Sequence, residues 1–199
     1  MTNKLGTFQD PLLDRQIERL AFFTEEGWED VLGLIGVKGV GANDPTWKAF
    51  SGNFFGYAFE PSKMNQCWVD FHGMHNANPQ KEIYLHVHWS PATSAAGVVR
   101  WGIELIHANP HESFTTARTI YLEAESSGVF PYHQVIECEF ADAIPSGVII
   151  PGGVIKTRFF RDATHANDTY PGDAFPHFLN LHYRADRNGT SYKEGNLYA

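Results

Sequence analysis

The chain has 199 residues, a formal net charge of -8 and an aromatic content of 14%. This length suits one domain with its own core, and the aromatic excess favours β-structure and assembly surfaces. Nucleic-acid binding relies on clustered Lys and Arg, and the 15 basic residues form no cluster, so we expect no nucleic-acid partner. No apolar stretch approaches the length of a membrane span, so we expect no membrane partner either.

Residues 1–46 are predicted to form an N-terminal arm that is mostly irregular. Residues 1–10 lack the basic start and apolar run of a signal peptide, which predicts production in a cytoplasm. Asp10 can cap a short helix with Pro11 in its first turn. Glycines recur through residues 33–41 and resist a long helix there. Such an arm needs a surface to pack on, in its own domain or in a neighbouring subunit.

Residues 47–199 are predicted to form one all-β domain. Its clearest strand covers residues 83–89, where four large apolar side chains alternate with polar ones. A turn at Pro91 leads to a strand over residues 98–107, and the two strands are predicted to pair as a hairpin. Six more strands are predicted at residues 52–60, 65–72, 115–123, 133–140, 154–161 and 174–185. Eight strands separated by Gly and Pro turns predict an antiparallel β-sandwich or jelly roll.

The pair His86 and His88 is the strongest candidate for chemistry. Residues two apart in a strand project from the same face. Barrel proteins hold iron, manganese or zinc with such a pair, together with a carboxylate and often a third His. Glu104 on the next strand and His182 on the last strand are the candidate partners. This alternative predicts a cupin-like metal-binding barrel.

The apolar side of the same strand favours a different interpretation. The four apolar side chains of residues 83–89 fill an inward face better than two imidazoles, and turning the imidazoles inward would turn those four outward. We therefore expect no metal and no other cofactor. We expect Tyr84, His86 and His88, together with Trp28 of the arm, to form a contact surface between subunits.

The remaining polar motifs do not predict catalysis. Asp162, Asn167 and Asp168 offer oxygen ligands for calcium, but the Gly and Glu positions of a calcium loop are missing, and Asx side chains usually satisfy backbone groups in turns. Nothing in the sequence brings a nucleophile to a base. We predict that the chain is not an enzyme.

Two stretches of the chain carry ordered motifs. Within residues 82–101, a His-x-His-Trp strand is followed by a turn and a Val-x-Trp strand. The second stretch contains residues 159–162, residues 167–170, Asp173 with Ala174, and His182 with Tyr183. Upstream, residues 45–47 and Phe50 belong to the same pattern. Over residues 45–186 the chain therefore resembles a family of small virion-associated proteins of tailed bacteriophages.

This resemblance implies a structural role in a phage particle. Members of the family are head decoration, neck or tail-fibre components, and related virion modules often form trimers. The resemblance brings no catalytic residues with it. It implies a homotrimer that attaches to capsid, portal, neck or tail proteins, located in the virion and made in the bacterial cytoplasm. Symmetric assembly is common for such modules.

A carbohydrate-binding fibre module is a further alternative. Trp47, Trp68 and Trp101 offer flat rings on which sugars can stack. At least two of these three side chains are expected in the core.

Overall fold

The computed structural model describes residues 27–37 and 42–186. Within these ranges the fold is all-β, which confirms the predicted class, and the short helix predicted at Asp10 lies outside them. The strands are β1 (Gly27–Leu32), β2 (Leu34–Gly36), β3 (Thr46–Ser51), β4 (Phe54–Ala58), β5 (Gln66–His72), β6 (Ile83–Pro91), β7 (Val98–Ala108), β8 (Arg118–Glu125), β9 (Gln134–Glu137), β10 (Val154–Arg161) and β11 (Ala174–Ala185). A single 3₁₀ turn covers Phe140–Asp142 in this part of the chain. No described helix is long and apolar enough to cross a membrane.

Two antiparallel sheets form the layers of a sandwich. Sheet A has the strand order β1-β11-β6-β9, and sheet B has the order β2-β5-β10-β7-β8. The alternation in β6 turns Leu85, Val87 and Trp89 toward sheet B, where all three are fully buried. Trp89 packs edge-on against Trp101 of β7, with ring centroids 5.9 Å apart. Each such burial stabilises the fold by about 1.5–3 kcal/mol.

The predicted hairpin between residues 83–89 and 98–107 is wrong. β6 lies in sheet A beside β11 and β9, whereas β7 lies in sheet B beside β10 and β8. Both strands carry a stripe of large apolar side chains. Because the two stripes face each other across the sandwich, each one buries the other. Residues 92–97 therefore connect the two layers instead of turning within one.

The structure adds three strands that the sequence did not predict. β1 pairs with β11 at the edge of sheet A, and β2 pairs with β5 at the edge of sheet B. Residues 27–36 of the predicted arm therefore extend both sheets of their own domain. The third addition, β3, forms a hairpin with β4 as a separate two-stranded sheet.

The β3–β4 hairpin covers one end of sheet A. Phe50 of β3 packs against Phe175 of β11, with centroids 5.3 Å apart. A register shift in β11 between Pro176 and Phe178 places Phe175 opposite Ser90 of β6, on the outward side. Unbroken alternation would put Phe175 on the inward face with Leu179; the bulge turns it to the other face, where the hairpin buries it.

A buried ion pair fastens the segment between β10 and β11. Arg161 ends β10 and is fully buried together with Asp168. The guanidinium donates to Asp168 Oδ2 from Nε at 3.0 Å and to Oδ1 from Nη2 at 2.7 Å. Its other N–H groups donate to the carbonyl oxygens of Phe59, Gly172 and Tyr170 at 3.0, 2.7 and 2.6 Å. All five guanidinium donors are therefore satisfied.

The substitution Asp168→Asn is expected to destabilise the protein by about 3–5 kcal/mol, because it leaves the Arg161 charge buried without its counter-charge. Urea unfolding followed by tryptophan fluorescence measures this difference. The control is Asp70→Asn, which breaks the solvent-exposed pair of Asp70 with Lys156 and should cost less than about 1 kcal/mol. Equal losses in the two variants would contradict the prediction.

Candidate functional site

The outward surface of sheet A carries a group of polar and aromatic side chains in mutual contact. The pairing registers place one set of residues on this surface, here called the outer face. Its members are Trp28, Asp30, Leu32, Tyr84, His86, His88, Val135, Glu137, Phe178, Asn180, His182 and Arg184. The four residues predicted as a contact surface, Tyr84, His86, His88 and Trp28, all belong to it.

A row of neighbouring rings crosses the outer face. Trp28 lies 4.5 Å from His182 between ring centroids, and His182 stacks on His86 at 5.2 Å with planes only 9° apart. His86 lies 4.8 Å from His88, which stacks on His133 at 5.0 Å. We use the name ring row for these rings together with the further rings that extend the series.

The ring row continues beneath the β3–β4 hairpin. His133 lies 6.1 Å from His177, His177 lies 5.3 Å from Phe50, and Phe50 lies 6.0 Å from Phe130. His88 Nδ1 and His133 Nε2 share a hydrogen bond of 2.9 Å. Five of the ten histidines of the chain therefore form one connected group.

Two carboxylates meet the ring row at His86 and His182. Asp30 Oδ1 lies 3.0 Å from His86 Nε2, although that nitrogen makes no hydrogen bond of good geometry. Glu137 Oε2 lies 2.6 Å from His182 Nδ1. Asp30, His86 and His182 each offer one ligand atom, and these atoms lie within 4.8 Å of one another. We call these three residues the Asp30 cluster.

The centre of the outer face is buried although it points away from the core. His86 and Asn180 are both buried there. Within the described ranges, His86 Nε2, His88 Nε2 and Asn180 Oδ1 have no hydrogen-bond partner. Buried polar atoms without partners are uncommon and costly. We use the name polar floor for the polar side chains of the outer face, namely Asp30, His86, His88, Glu137, Asn180 and His182. The hydrogen-bonding groups of this floor are only partly satisfied.

Burial lowers the pKa of two histidines of the outer face and of the neighbouring His177. Desolvation lowers the pKa of His86, and it outweighs the opposing effect of the nearby Asp30 carboxylate. Burial and then the neighbouring His86 and His133 lower the pKa of His88. Burial followed by the neighbouring His133 lowers the pKa of His177 as well.

The structure corrects the cupin-like metal site in two respects. The inward face of β6 holds Leu85, Val87 and Trp89, so His86 and His88 point out of the sandwich. Glu104 lies on sheet B, where its Oε2 pairs with Arg158 Nη1 at 3.1 Å. Of the predicted ligand set, the Asp30 cluster contains His86 and His182.

Asp30 is the residue that the sequence analysis missed. It lies in the part of the chain that was predicted to be an irregular arm, whereas the structure places it in β1. Its alternation with Trp28 and Leu32 was the available signal, because these three residues share one face of β1.

A Ser–His pair lies at the covered end of the outer face. Ser90 Oγ is 2.8 Å from His177 Nε2, the distance expected between a nucleophile and its base. However, Ser90 is buried, and no carboxylate within the described ranges is hydrogen-bonded to His177. The contact joins β6 to β11 at the register shift between Pro176 and Phe178.

The candidate calcium ligands are engaged with protein groups. Asp168 pairs with Arg161, Asp162 accepts from Arg100 Nε at 3.2 Å, and Asn167 donates to Glu123 at 2.7 Å. The segment is therefore a structured loop held by its own side chains, as Asx-rich turns usually are.

The outward surface of sheet B carries a groove of about 390 Å³. Trp68 of β5 lines it, along with Asp70, Glu104, Lys156 and Arg158. Among the three tryptophans predicted as sugar-stacking candidates, Trp101 is fully buried in the core, whereas Trp47 is exposed on the β3–β4 hairpin. The expectation that at least two of them are core residues is therefore wrong.

No protein-family model matches this sequence, and no curated protein matches it. Among solved structures, a carbohydrate-binding module specific for non-crystalline cellulose, CBM28, is 14% identical; the match covers 80% of this chain and 85% of that one with a TM-score of 0.33. The mannan-recognising module TmCBM27 is 12% identical, with coverages of 81% and 96% and a TM-score of 0.32.

A third similar structure is dimeric latent PorU from Porphyromonas gingivalis, at 10% identity and a TM-score of 0.35. That match covers 80% of this chain but only 13% of PorU. All three TM-scores lie below 0.5, so these overlaps carry no weight in assigning a function.

The substitution His177→Gln is expected to reduce the loss of stability on acidification. The folded-state pKa of His177 lies below its unfolded value, so below about pH 6.5 the unfolded chain takes up a proton that the folded chain resists. The folded protein therefore keeps its full stability, as far as His177 is concerned, above about pH 6.5. It loses stability as the pH falls from there toward and through the folded-state pKa of His177. Gln retains a partner for Ser90 without titrating.

Thermal unfolding between pH 7.5 and 5.5, in buffer with a chelator, measures this effect. The fall in Tm should be smaller in the variant by on the order of 2 °C. The control is His111→Asn, at an exposed position with φ of 66° that Asn tolerates. An unchanged pH slope in His177→Gln would contradict the prediction.

Proposed function

We propose that the protein is a non-catalytic structural subunit of a bacteriophage particle that binds other subunits through the outer face of sheet A. The observation that carries this proposal is the apolar rim of that face. The rim consists of Trp28, Leu32, Val135 and Phe178, whose exposed fractions lie between 45% and 58%. Large apolar side chains gathered on one face mark an interaction surface, whereas scattered ones do not.

The β3–β4 hairpin extends this surface. Phe54 is 77% exposed, and Trp47 and Phe55 are also exposed. The ring row connects the rim to this hairpin through His177 and Phe50. A partner that covered both regions would bury aromatic side chains, which are enriched at protein interfaces.

The arrangement of the outer face, with polar side chains at its centre and apolar side chains at its edge, favours a protein partner. Once a partner covers the face, apolar groups at the edge would exclude water from the imidazoles and carboxylates between them, and water exclusion strengthens polar contacts across an interface. The acidic chain has no cluster of basic residues that would suit a nucleic acid. The resemblance to virion-associated proteins supports a phage particle as the assembly and a homotrimer as its unit.

The triple substitution Leu32→Ser, Val135→Ser and Phe178→Ser is expected to prevent incorporation into particles, because it removes three of the four apolar rim residues and leaves the core intact. Particles purified after complementation of a gene-deleted phage are analysed by mass spectrometry. The wild-type chain should be present and the triple variant reduced at least tenfold. In light scattering at micromolar concentration, the wild type should be a trimer and the triple variant a monomer.

The control is Phe114→Ser, an exposed apolar residue outside the outer face, and it should be incorporated normally. Circular dichroism verifies the fold of each variant. Absence of the wild-type chain from intact particles would overturn the proposal of a virion role. A wild-type monomer, or a triple variant that remains trimeric, would overturn the assignment of the interface.

Carbohydrate binding is the second candidate function, and the groove on sheet B favours it. Trp68 supplies a flat ring to the groove. Two salt bridges also line the groove, one between Asp70 and Lys156 and one between Glu104 and Arg158. A concave site with an apolar surface and a few polar groups is the usual form of a small-ligand site. In a particle subunit, such a groove would suit recognition of a host glycan.

If the groove binds glycans, Trp68→Ala should weaken binding at least tenfold, since a large aromatic contact is lost. A glycan array finds the ligand and calorimetry measures its affinity. Trp47→Ala, which removes an exposed ring elsewhere, should leave the affinity unchanged. Silence of the wild-type protein on the array would count against this function.

A further inference from the structure

We propose that the Asp30 cluster binds one divalent transition-metal ion of the zinc type, with Asp30, His86 and His182 as ligands. The proposed site lies on the outer face of sheet A and joins three neighbouring strands, β1, β6 and β11. It differs from the cupin-like arrangement, in which ligands point into a barrel, and it does not rest on the proposed virion role.

The spacing of the three donor atoms suits a single ion. Zinc binds His nitrogen and carboxylate oxygen at about 2.0–2.2 Å, so two ligands of one ion lie no more than about 4.4 Å apart. The three donor atoms lie within 4.8 Å of one another, and Asp30 Oδ1 is already 3.0 Å from His86 Nε2. The separations therefore exceed that limit by at most about 0.4 Å, which side-chain rotation can close, and the Asp30 side chain is half-exposed.

Buried polar atoms at this position point to a ligand as a second observation. Asn180 Oδ1 is buried and lacks a hydrogen-bond partner within the described ranges, and His86 Nε2 is buried with the Asp30 carboxylate 3.0 Å away but without a hydrogen bond of good geometry. Asn180 lies directly opposite His86 across the β11–β6 pair, and both side chains point outward. An ion would satisfy His86 Nε2 and offers a position for Asn180 Oδ1 or a water molecule as fourth ligand.

Glu137 supplies the outer hydrogen bond that a metal-binding histidine normally has. Its Oε2 is 2.6 Å from His182 Nδ1. Ligating histidines usually donate their second ring N–H to a carboxylate or carbonyl, which fixes the tautomer and the ring orientation. With Nδ1 engaged by Glu137, Nε2 of His182 is the nitrogen that remains for an ion.

The donor types select the class of metal. Two imidazole nitrogens with one carboxylate suit zinc, copper, iron or nickel, whereas calcium and magnesium prefer oxygen ligands. An ion at this place would cross-link β1 to β11 and β6. It would therefore fasten the edge strand that comes from the N-terminal part of the chain.

The test uses the full-length chain after treatment with a chelator and dialysis. Titration with zinc chloride in a calorimeter should show about one ion per chain, and cobalt chloride should give the visible absorption of a four-coordinate nitrogen–oxygen site. Asp30→Asn and His182→Gln should each weaken zinc binding by more than about 10-fold, since loss of an outer hydrogen-bonding partner alone typically costs that much. Zinc should raise the Tm of the wild type and should raise that of the two variants much less.

The matched control is His88→Gln, which removes an imidazole from the same face outside the Asp30 cluster and should leave the zinc affinity unchanged. Circular dichroism confirms that each variant is folded. Absence of saturable zinc binding by the wild type would overturn the proposal. Equal losses in His88→Gln and His182→Gln would also overturn it, because they would indicate non-specific binding along the ring row.

Discussion

The buried contact between Arg161 and Asp168 holds together the parts of the fold that meet at one end of the sandwich. Arg161 closes β10, and its guanidinium binds the carbonyls of Phe59, Tyr170 and Gly172 as well as the Asp168 carboxylate. Asp168 Oδ2 also accepts the backbone N–H of Arg100 in β7. An unpaired charge in this position would be very unfavourable. The loop, the end of β4 and the centre of sheet B are therefore fixed relative to one another, and β11 starts from a defined position.

The start of β11 determines which side chains reach the outer face. β11 lies between β1 and β6 in sheet A, and its register brings His182 opposite Asp30 and Asn180 opposite His86. The bulge at its beginning turns Phe175 outward beneath the β3–β4 hairpin, so one end of the face is covered. The other end, with its polar floor and apolar rim, is open. Assembly and metal binding would use adjacent parts of this open end.

The two proposals for the outer face are physically compatible. The apolar rim is formed by side chains that surround the floor, whereas the proposed metal ligands belong to the floor itself. An ion there would neutralise the Asp30 carboxylate and satisfy His86 Nε2 before a partner excluded water from the face. Unpaired polar atoms buried in an interface reduce affinity. Occupation of the floor by an ion would therefore remove one such cost, that of His86 Nε2, at a partner interface.

Alternation along each strand determined much of this protein from the sequence alone. It predicted the β-class, counterparts for eight strands, and the outward position of His86 and His88 opposite an apolar inward face. It did not predict that β6 and β7 lie in different sheets, because a turn that connects two layers resembles a turn within one. Nor did it show that Asp30 joins His86 and His182 or that Glu104 is far from them. Those outcomes depend on which strands become neighbours, and only packing of the two apolar faces decides that.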